Sequence, residues 1–189
     1  MNFGLFPAFF DKPAHIRFEQ QEADEYIELF LRKHWFTNVG WIVIALFLSI
    51  LPFIIVITDV LLTLGFTTNL PASISTGLII IWYMFLSAYI IENFLHWYFT
   101  IYIVTNKHIV DVNYSSLLSR SVVEVKLADV QSQKASIKGI FRQLFNFGDV
   151  VIETAAENQR IDFIDIPKPD LVADRVQDLK SVIVDGGNP

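Results

Sequence analysis

The residues best suited to chemistry are few, and their spacing does not favour it. No histidine stands at metal-ligand spacing from another histidine or from a carboxylate. Asp162 and Asp165 are three residues apart in an alternating, strand-like stretch, so we expect them on opposite faces, unable to form an acid–base pair. The 189-residue chain contains no cysteine, which excludes disulfides, thiolate metal sites and cysteine nucleophiles. The sequence therefore predicts a protein that is not an enzyme, with no metal site and no cofactor.

Two carboxylates border long apolar runs and are candidates for an intramembrane polar site. Asp59 directly follows the first run, and a carboxylate at mid-bilayer would cost roughly 3 kcal/mol on insertion scales. The simpler interpretation therefore places Asp59 at the outer headgroups. The alternative is a proton or ion site in which Asp59 pairs with Asn69 or with another chain. Glu92 lies near the inner end of the second run, where Arg32 or Lys33 could neutralise it.

A third candidate is the segment 133–147, in which Lys134, Lys138 and Arg142 recur every four residues among apolar residues. As a short helix it could contact anionic lipid or a partner, because each basic residue near such a surface contributes about 1 kcal/mol. In the alternative arrangement, the apolar residues complete a core and the basic ones form a solvated face. We expect this second arrangement, because residues 98–189 hold 10 basic and 12 acidic side chains, a net charge of −2.

The charges are distributed very unevenly along the chain. Hydrophobic residues make up 53% of it and charged residues only 18%, and in the 57 residues from Trp35 to Ile91 the one formal charge is Asp59. This pattern excludes a uniformly soluble globule and a disordered chain. The net charge of −6 argues against general nucleic-acid binding.

Two apolar runs predict a transmembrane helical hairpin over residues 38–97, with spans at about 39–61 and 74–95. Val39–Ile57 has 19 uncharged residues, which as a helix would extend about 28 Å, close to the thickness of a hydrocarbon core. Pro52 is tolerable there, because Ser49 or a neighbouring helix can satisfy the carbonyl that proline leaves free. The second run, Ile74–Ile91, follows a turn containing Gly65, Asn69 and Pro71.

Basic residues orient this hairpin. Lys12, Arg17, Arg32 and Lys33 precede it and Lys107 follows it, whereas the connecting loop has no basic residue. The positive-inside rule therefore predicts an inner-membrane, multi-pass protein with both termini in the cytoplasm.

Residues 1–37 are expected to form a cytoplasmic, partly helical segment. The stretch Ala23–Trp35 has an acidic start and a basic end, as a helix running into the first span would. An apolar cluster near the N-terminus is too short to span, and it could pack on the protein or lie on the membrane. It consists of Phe3, Leu5, Phe6, Phe9 and Phe10.

After residue 98 the pattern changes to short alternating segments, which are typical of antiparallel strands. Asn106 and Lys107 fit a two-residue turn between the first two strands. The final segment, Pro169–Val184, is amphipathic and predicts a helix that covers the sheet. The predicted strands are Tyr98–Thr105, His108–Asn113, Ser121–Leu127, Asp149–Thr154 and Arg160–Ile166.

Four segments in order resemble the bacterial pleckstrin-homology-like (PH-like) domain of YdbS-like membrane proteins: WYFTIYIVTNKHIVDVN, SRSVVEVKLADVQSQ, FNFGDVVIETA and IDFIDIPKPDLVADRVQDL. LRKHWF before the first run also resembles that family, so the likeness covers roughly residues 15–183. It implies an α+β membrane protein, in which the hairpin precedes a seven-stranded, barrel-like sandwich capped by the C-terminal helix. The two further strands would lie between Leu127 and Ser136 and near bulged stretches. The first hairpin offers only Lys107 and His108, so inositol-lipid binding is not expected.

The resemblance and the charge pattern together predict a hairpin that anchors a cytoplasmic PH-like domain over residues 98–184, followed by a tail, 185–189. The domain would act as a non-enzymatic binding or scaffolding module. The alternative is a small accessory or regulatory subunit of a membrane transport or stress-response complex, in which Asp59 matters. Expected partners are the lipid bilayer and other membrane or cytoplasmic proteins, with a homo-oligomer as a further arrangement, and no nucleic acid.

Overall fold

The computed structural model describes residues 8–12, 25–65, 69–116, 119–155, 160–184 and 186, and the chain divides into two compact units. Residues 38–95 form a helical pair. The residues up to 37 and those from 96 onward together form a folded domain. The helical pair is therefore an insertion between two parts of one domain.

The helical pair consists of α1 (Asn38–Leu62) and α2 (Ala72–Phe99), whose last residues belong to the domain. Both helices are long and apolar enough to cross a membrane, with mean hydropathies of 2.8 and 1.9. Pro52 has no N–H and so leaves the Leu48 carbonyl without its helical donor. The Trp82 indole N–H donates to that carbonyl at 3.1 Å, so a neighbouring helix satisfies it, as expected.

The domain contains two antiparallel sheets. One has five strands in the order β1-β2-β3-β4-β5, and the other has three in the order β6-β7-β8. The strands of the first sheet are β1 (Phe9–Asp11), β2 (Ile27–Arg32), β3 (Ile101–Thr105), β4 (His108–Ser116) and β5 (Ser119–Lys126). Those of the second are β6 (Val130–Ser136), β7 (Phe147–Thr154) and β8 (Arg160–Pro167). A short helix, α3 (Ile140–Leu144), precedes β7, and α4 (Pro169–Val184) ends the domain.

One hydrophobic core is shared by both sheets and α4. Tyr102 of β3 and Phe163 of β8 are fully buried, with ring centroids 4.6 Å apart. Val172 and Val176 of α4 enter the same core with no exposed surface. The C-terminal helix therefore has the predicted bounds and covers the sheets as its apolar face requires.

The helix predicted over Ala23–Trp35 is wrong in the described residues, because Ile27–Arg32 is strand β2. This strand pairs with β3 in antiparallel register, Phe30 opposite Ile103. Both of its faces are buried: Leu29 and Leu31 enter the main core, while Ile27 and Phe30 join a smaller cluster on the other face. A strand that is buried on both faces has no alternation of apolar and polar residues, so its sequence does not look like a strand. Pairing with a distant strand here outweighs the local helical pattern.

The strand predictions after residue 98 are right in place but shifted at their ends. The strand predicted from Tyr98 begins at Ile101, because α2 continues to Phe99. The strand expected between Leu127 and Ser136 is β6. The described residues after α2 contain six strands, and β1 and β2 extend the first sheet from before α1. Of the N-terminal apolar cluster, Phe9 and Phe10 lie in β1, and its other members lie outside the described residues.

Candidate functional site

The candidate site is the end of the domain where the chain runs into α1 and returns from α2. Three contacts join these two passages of the chain within the domain. The Lys33 ammonium lies 3.2 Å from Nε2 of His96, and the Trp97 indole N–H donates to the Lys33 carbonyl at 3.1 Å. The Arg32 guanidinium lies 4.8 Å from the centroid of the Tyr98 ring, a cation–π contact. The domain therefore holds the entry and exit of the inserted segment side by side.

An ion-pair network ties α3 to the three-stranded sheet at this end. The Arg142 guanidinium donates to Asp149 at 2.7 Å and to Asp165 at 2.6 Å. The Asp165 N–H also donates to the Asp149 carboxylate at 3.0 Å. Asp165 has a φ of 56°, in a stretch where the β7–β8 register shifts, so its side chain departs from the alternation expected of a strand. The bulge thus directs Asp165 toward Arg142.

Burial shifts the pKa values of three charged groups at this end of the domain. It raises the pKa of Asp111, on β4, to about 6, although nearby Lys33 opposes the shift. It lowers the pKa of Lys33 against the attraction of Asp165 and Asp111. Burial also raises the pKa of Asp165, even with Arg142 beside it. In each group the effect of burial exceeds the attraction of the oppositely charged neighbours.

Aromatic rings pack against one another at the same end of the domain. His34 stacks on Phe147 with centroids 4.7 Å apart and planes 3° from parallel, and burial lowers the pKa of this histidine. Phe36 stacks on Phe145 at 4.5 Å, and Trp35 meets Phe145 edge-on at 5.7 Å. These rings join the residues 34–36, shortly before α1, to the segment around α3. His34 is therefore a neutral packing residue near pH 7.

The basic segment is not the single helix in which residues four apart would share a face. Lys134 lies on β6, Lys138 lies in the following loop, and Arg142 lies on the five-residue α3. Arg142 is paired with two carboxylates, so its charge is already compensated. The expectation that the apolar residues complete the core is wrong for Ile140, Phe141 and Leu144, which are 83%, 63% and 72% exposed. Contact of the three basic residues with lipid or a partner stays a prediction.

The two carboxylates of the helical pair lie in different environments. Asp59 is only 2% exposed, and it has an interaction partner. Glu92 is exposed on α2. Both interpretations of Asp59, a carboxylate at the headgroups and a proton or ion site, stay predictions.

In the described part of the chain, no three His, Cys, Asp or Glu side chains are grouped so that they could hold a metal ion. Asp162 pairs with Arg160 at 2.6 Å, apart from the Asp165 network. Sequence reasoning missed Asp149 and Asp111 as members of this site. Asp111 is one position in an alternating strand, and no local signal marks it as facing Lys33.

Comparison with known protein families gives a match over most of the chain. A family model described as "Bacterial PH domain" matches residues 34–180. No curated protein matches the chain.

Proposed function

Because this chain belongs to the bacterial PH domain family, we propose that it is a non-enzymatic integral membrane protein that presents a cytoplasmic binding or scaffolding domain. PH domains are typically non-catalytic binding modules. The paired charges around Arg142 and Lys33 favour a structural role for the polar groups at the candidate site. The ligand is a protein or lipid at the membrane surface.

The observation that carries the membrane part of the proposal is the pairing of β2 with β3. Arg32, before α1, stands opposite Ile101, after α2, in one antiparallel ladder. A backbone ladder cannot be shared across a bilayer, so both residues must lie on the same side. The intervening chain then crosses an even number of times, which two helices of spanning length satisfy. The basic residues flanking the helices favour the cytoplasmic side.

The exposure of the helical pair supports insertion in lipid. Only 6% of the most apolar window of each helix is buried. Side chains such as Phe53, Leu61 and Phe85 are 63%, 75% and 73% exposed. In water, so large an apolar surface on 58 residues would drive aggregation, whereas in hydrocarbon it needs no cover.

Membrane topology gives the first test, since the chain has no native cysteine. Asn69→Cys places a thiol on the exposed connection between the helices, and Ser181→Cys places one on the exposed side of α4. A membrane-impermeant maleimide should label only the Asn69→Cys variant in intact cells, and both variants after permeabilisation. Labelling of Ser181→Cys but not Asn69→Cys in intact cells would reverse the orientation.

A second candidate function is an accessory or regulatory subunit of a larger membrane complex. The burial of Asp59 in an otherwise exposed apolar helical pair favours it, because ionisable residues at such positions commonly mark functional sites. Purification in mild detergent separates the two proposals. A scaffolding domain should retain its partners in Asp59→Asn, whereas loss of a co-purifying multispan protein in that variant alone would favour the subunit.

A further inference from the structure

We propose that the apolar turn formed by Ile140, Phe141 and Leu144 inserts into the lipid interface beside the point where α1 leaves the domain. The domain would then contact the bilayer through this turn in addition to being anchored by its two helices. This inference rests on the proposed function, since it requires the helical pair to be in a membrane. It assigns the contact to apolar side chains and not to the basic residues of the same segment.

Exposure sets this turn apart from the rest of the domain. Its three side chains are 63–83% exposed, whereas the other exposed large hydrophobic residues described in the domain reach at most 48%, at Trp35. The values match those of the helical pair, where Phe85 is 73% exposed. An apolar turn this exposed is typical of a surface that contacts lipid or another molecule.

The ring contacts connect the apolar turn to residues just before the first span, which favours lipid as the molecule that covers the turn. Phe36 stacks on Phe141 at 5.8 Å and on Phe145 at 4.5 Å. Phe36 also stands two residues before the start of α1, a chain distance of about 7 Å. Phe141 of the apolar turn therefore lies against a residue that precedes the first span by only two positions. Aromatic and apolar residues at that level are suited to the headgroup–acyl boundary.

The charges around the turn do not oppose insertion. Arg142, the charged residue within α3, is compensated by Asp149 and Asp165. The sequence has no acidic residue between Asp129 and Asp149. Lys138, which precedes the turn, has a long stem that allows its ammonium to remain among the headgroups.

The test uses full-length protein in vesicles of neutral phosphatidylcholine that carry nitroxides at known acyl depths. A fluorescent label on Leu144→Cys should be quenched at a depth of about 5–10 Å, as for interfacial helices. The matched control, Ser181→Cys on the exposed side of α4, should not be quenched. Adding Ile140→Asn and Phe141→Asn should abolish quenching at Leu144→Cys, and both positions are exposed enough for the fold to survive.

Three outcomes would overturn the inference. Quenching that requires anionic lipid and disappears in Lys134→Gln, Lys138→Gln would assign the contact to charge. A label at Leu144→Cys shielded from both lipid nitroxides and an aqueous quencher would show that protein covers the turn. A label there open to the aqueous quencher alone would show a free surface.

A label on Ile80→Cys, in the middle of α2, separates the two proposals. Deep quenching at Ile80→Cys with none at Leu144→Cys would reject the docked turn and leave the membrane anchor standing. Absence of quenching at both would reject both.

Discussion

The helical pair and the folded domain treat apolar side chains in opposite ways. In residues 38–95 the buried residues described are Ala45, Asp59 and Leu86, and most large apolar side chains are exposed. In the domain, two sheets and α4 enclose side chains such as Tyr102 and Phe163 completely. The difference teaches that hydrophobicity alone does not make a core: the domain buries apolar surface against itself, whereas the helical pair leaves it for another apolar phase.

Each region also contains a feature that departs from its own pattern. The α3 turn exposes Phe141 and Leu144 as a membrane helix would. Asp59 is a carboxylate that the helical pair buries, although the apolar residues around it are exposed. We expect function at these two features, because each is locally unfavourable and persists only because the rest of the fold is stable enough to compensate.

The largest expected effect comes from comparing two phenylalanines, one in the closed core of the domain and one exposed on the helical pair. Phe163→Ala opens a cavity beside Tyr102 in the closed core and should lower the domain's free energy of unfolding by roughly 3–5 kcal/mol. Phe85→Ala, 73% exposed on α2, should change stability by less than about 0.5 kcal/mol. Chemical unfolding of the full-length protein in micelles, followed by circular dichroism, measures both. Equal losses would mean that the helical pair has a closed core of its own.

The next test compares two ion pairs of the domain. Arg142→Gln leaves Asp149 and Asp165 facing each other without their shared cation, and should cost about 1–3 kcal/mol. Arg160→Gln removes an exposed partner of Asp162 and should have no measurable effect. The same unfolding experiment compares them. An unchanged free energy of unfolding in Arg142→Gln would mean that the ion pairs of Arg142 do not hold the apolar turn in place.

Inside the helical pair, polar contacts should matter more than apolar ones. Trp82→Phe removes the donor to the Leu48 carbonyl, which Pro52 cannot bond, and should destabilise the pair by about 1 kcal/mol. The control is Trp41→Phe, because the Trp41 indole donates to Asn38 at the start of α1, where water can replace it. Unfolding of both variants in vesicles or bicelles by a denaturing detergent tests this. An equal response would indicate that lipid or water reaches the Leu48 carbonyl.

The last test concerns the pH dependence of stability. Burial raises the pKa of Asp111 to about 6 in the folded state, above the ordinary value of 3.8. The folded protein therefore binds this proton more tightly, and the contribution of Asp111 to stability falls as the pH rises from about 4 to about 6. Asp111→Asn removes that titration, so its melting temperature relative to wild type should be higher at about pH 7.5 than at about pH 4. A constant difference across this range would contradict the raised pKa.

Much of the fold could be predicted because its signals are local. The bounds of α4 follow from its amphipathic period, with Pro169 at the start and the apolar face against the sheets. Residues of α1 and α2 are recognisable by length and by the lack of charge. The candidate site could not be predicted in the same way. Arg142 and Asp165 are 23 residues apart, and a bulge that no local motif marks brings them together.

The amino-acid sequence by itself determined the two apolar helices, the β-rich region with its covering helix, and the resemblance to bacterial PH domains, because these depend on composition, period and order along the chain. Only the tertiary structure decided that Ile27–Arg32 is a strand, since the ladder to Ile101–Thr105 joins residues separated by the whole helical pair. It also decided that the apolar residues of α3 lie at the surface beside Phe36. The local sequence pattern shows which side chains of a segment are suited to burial. Whether they are buried depends on which distant segments pack against them.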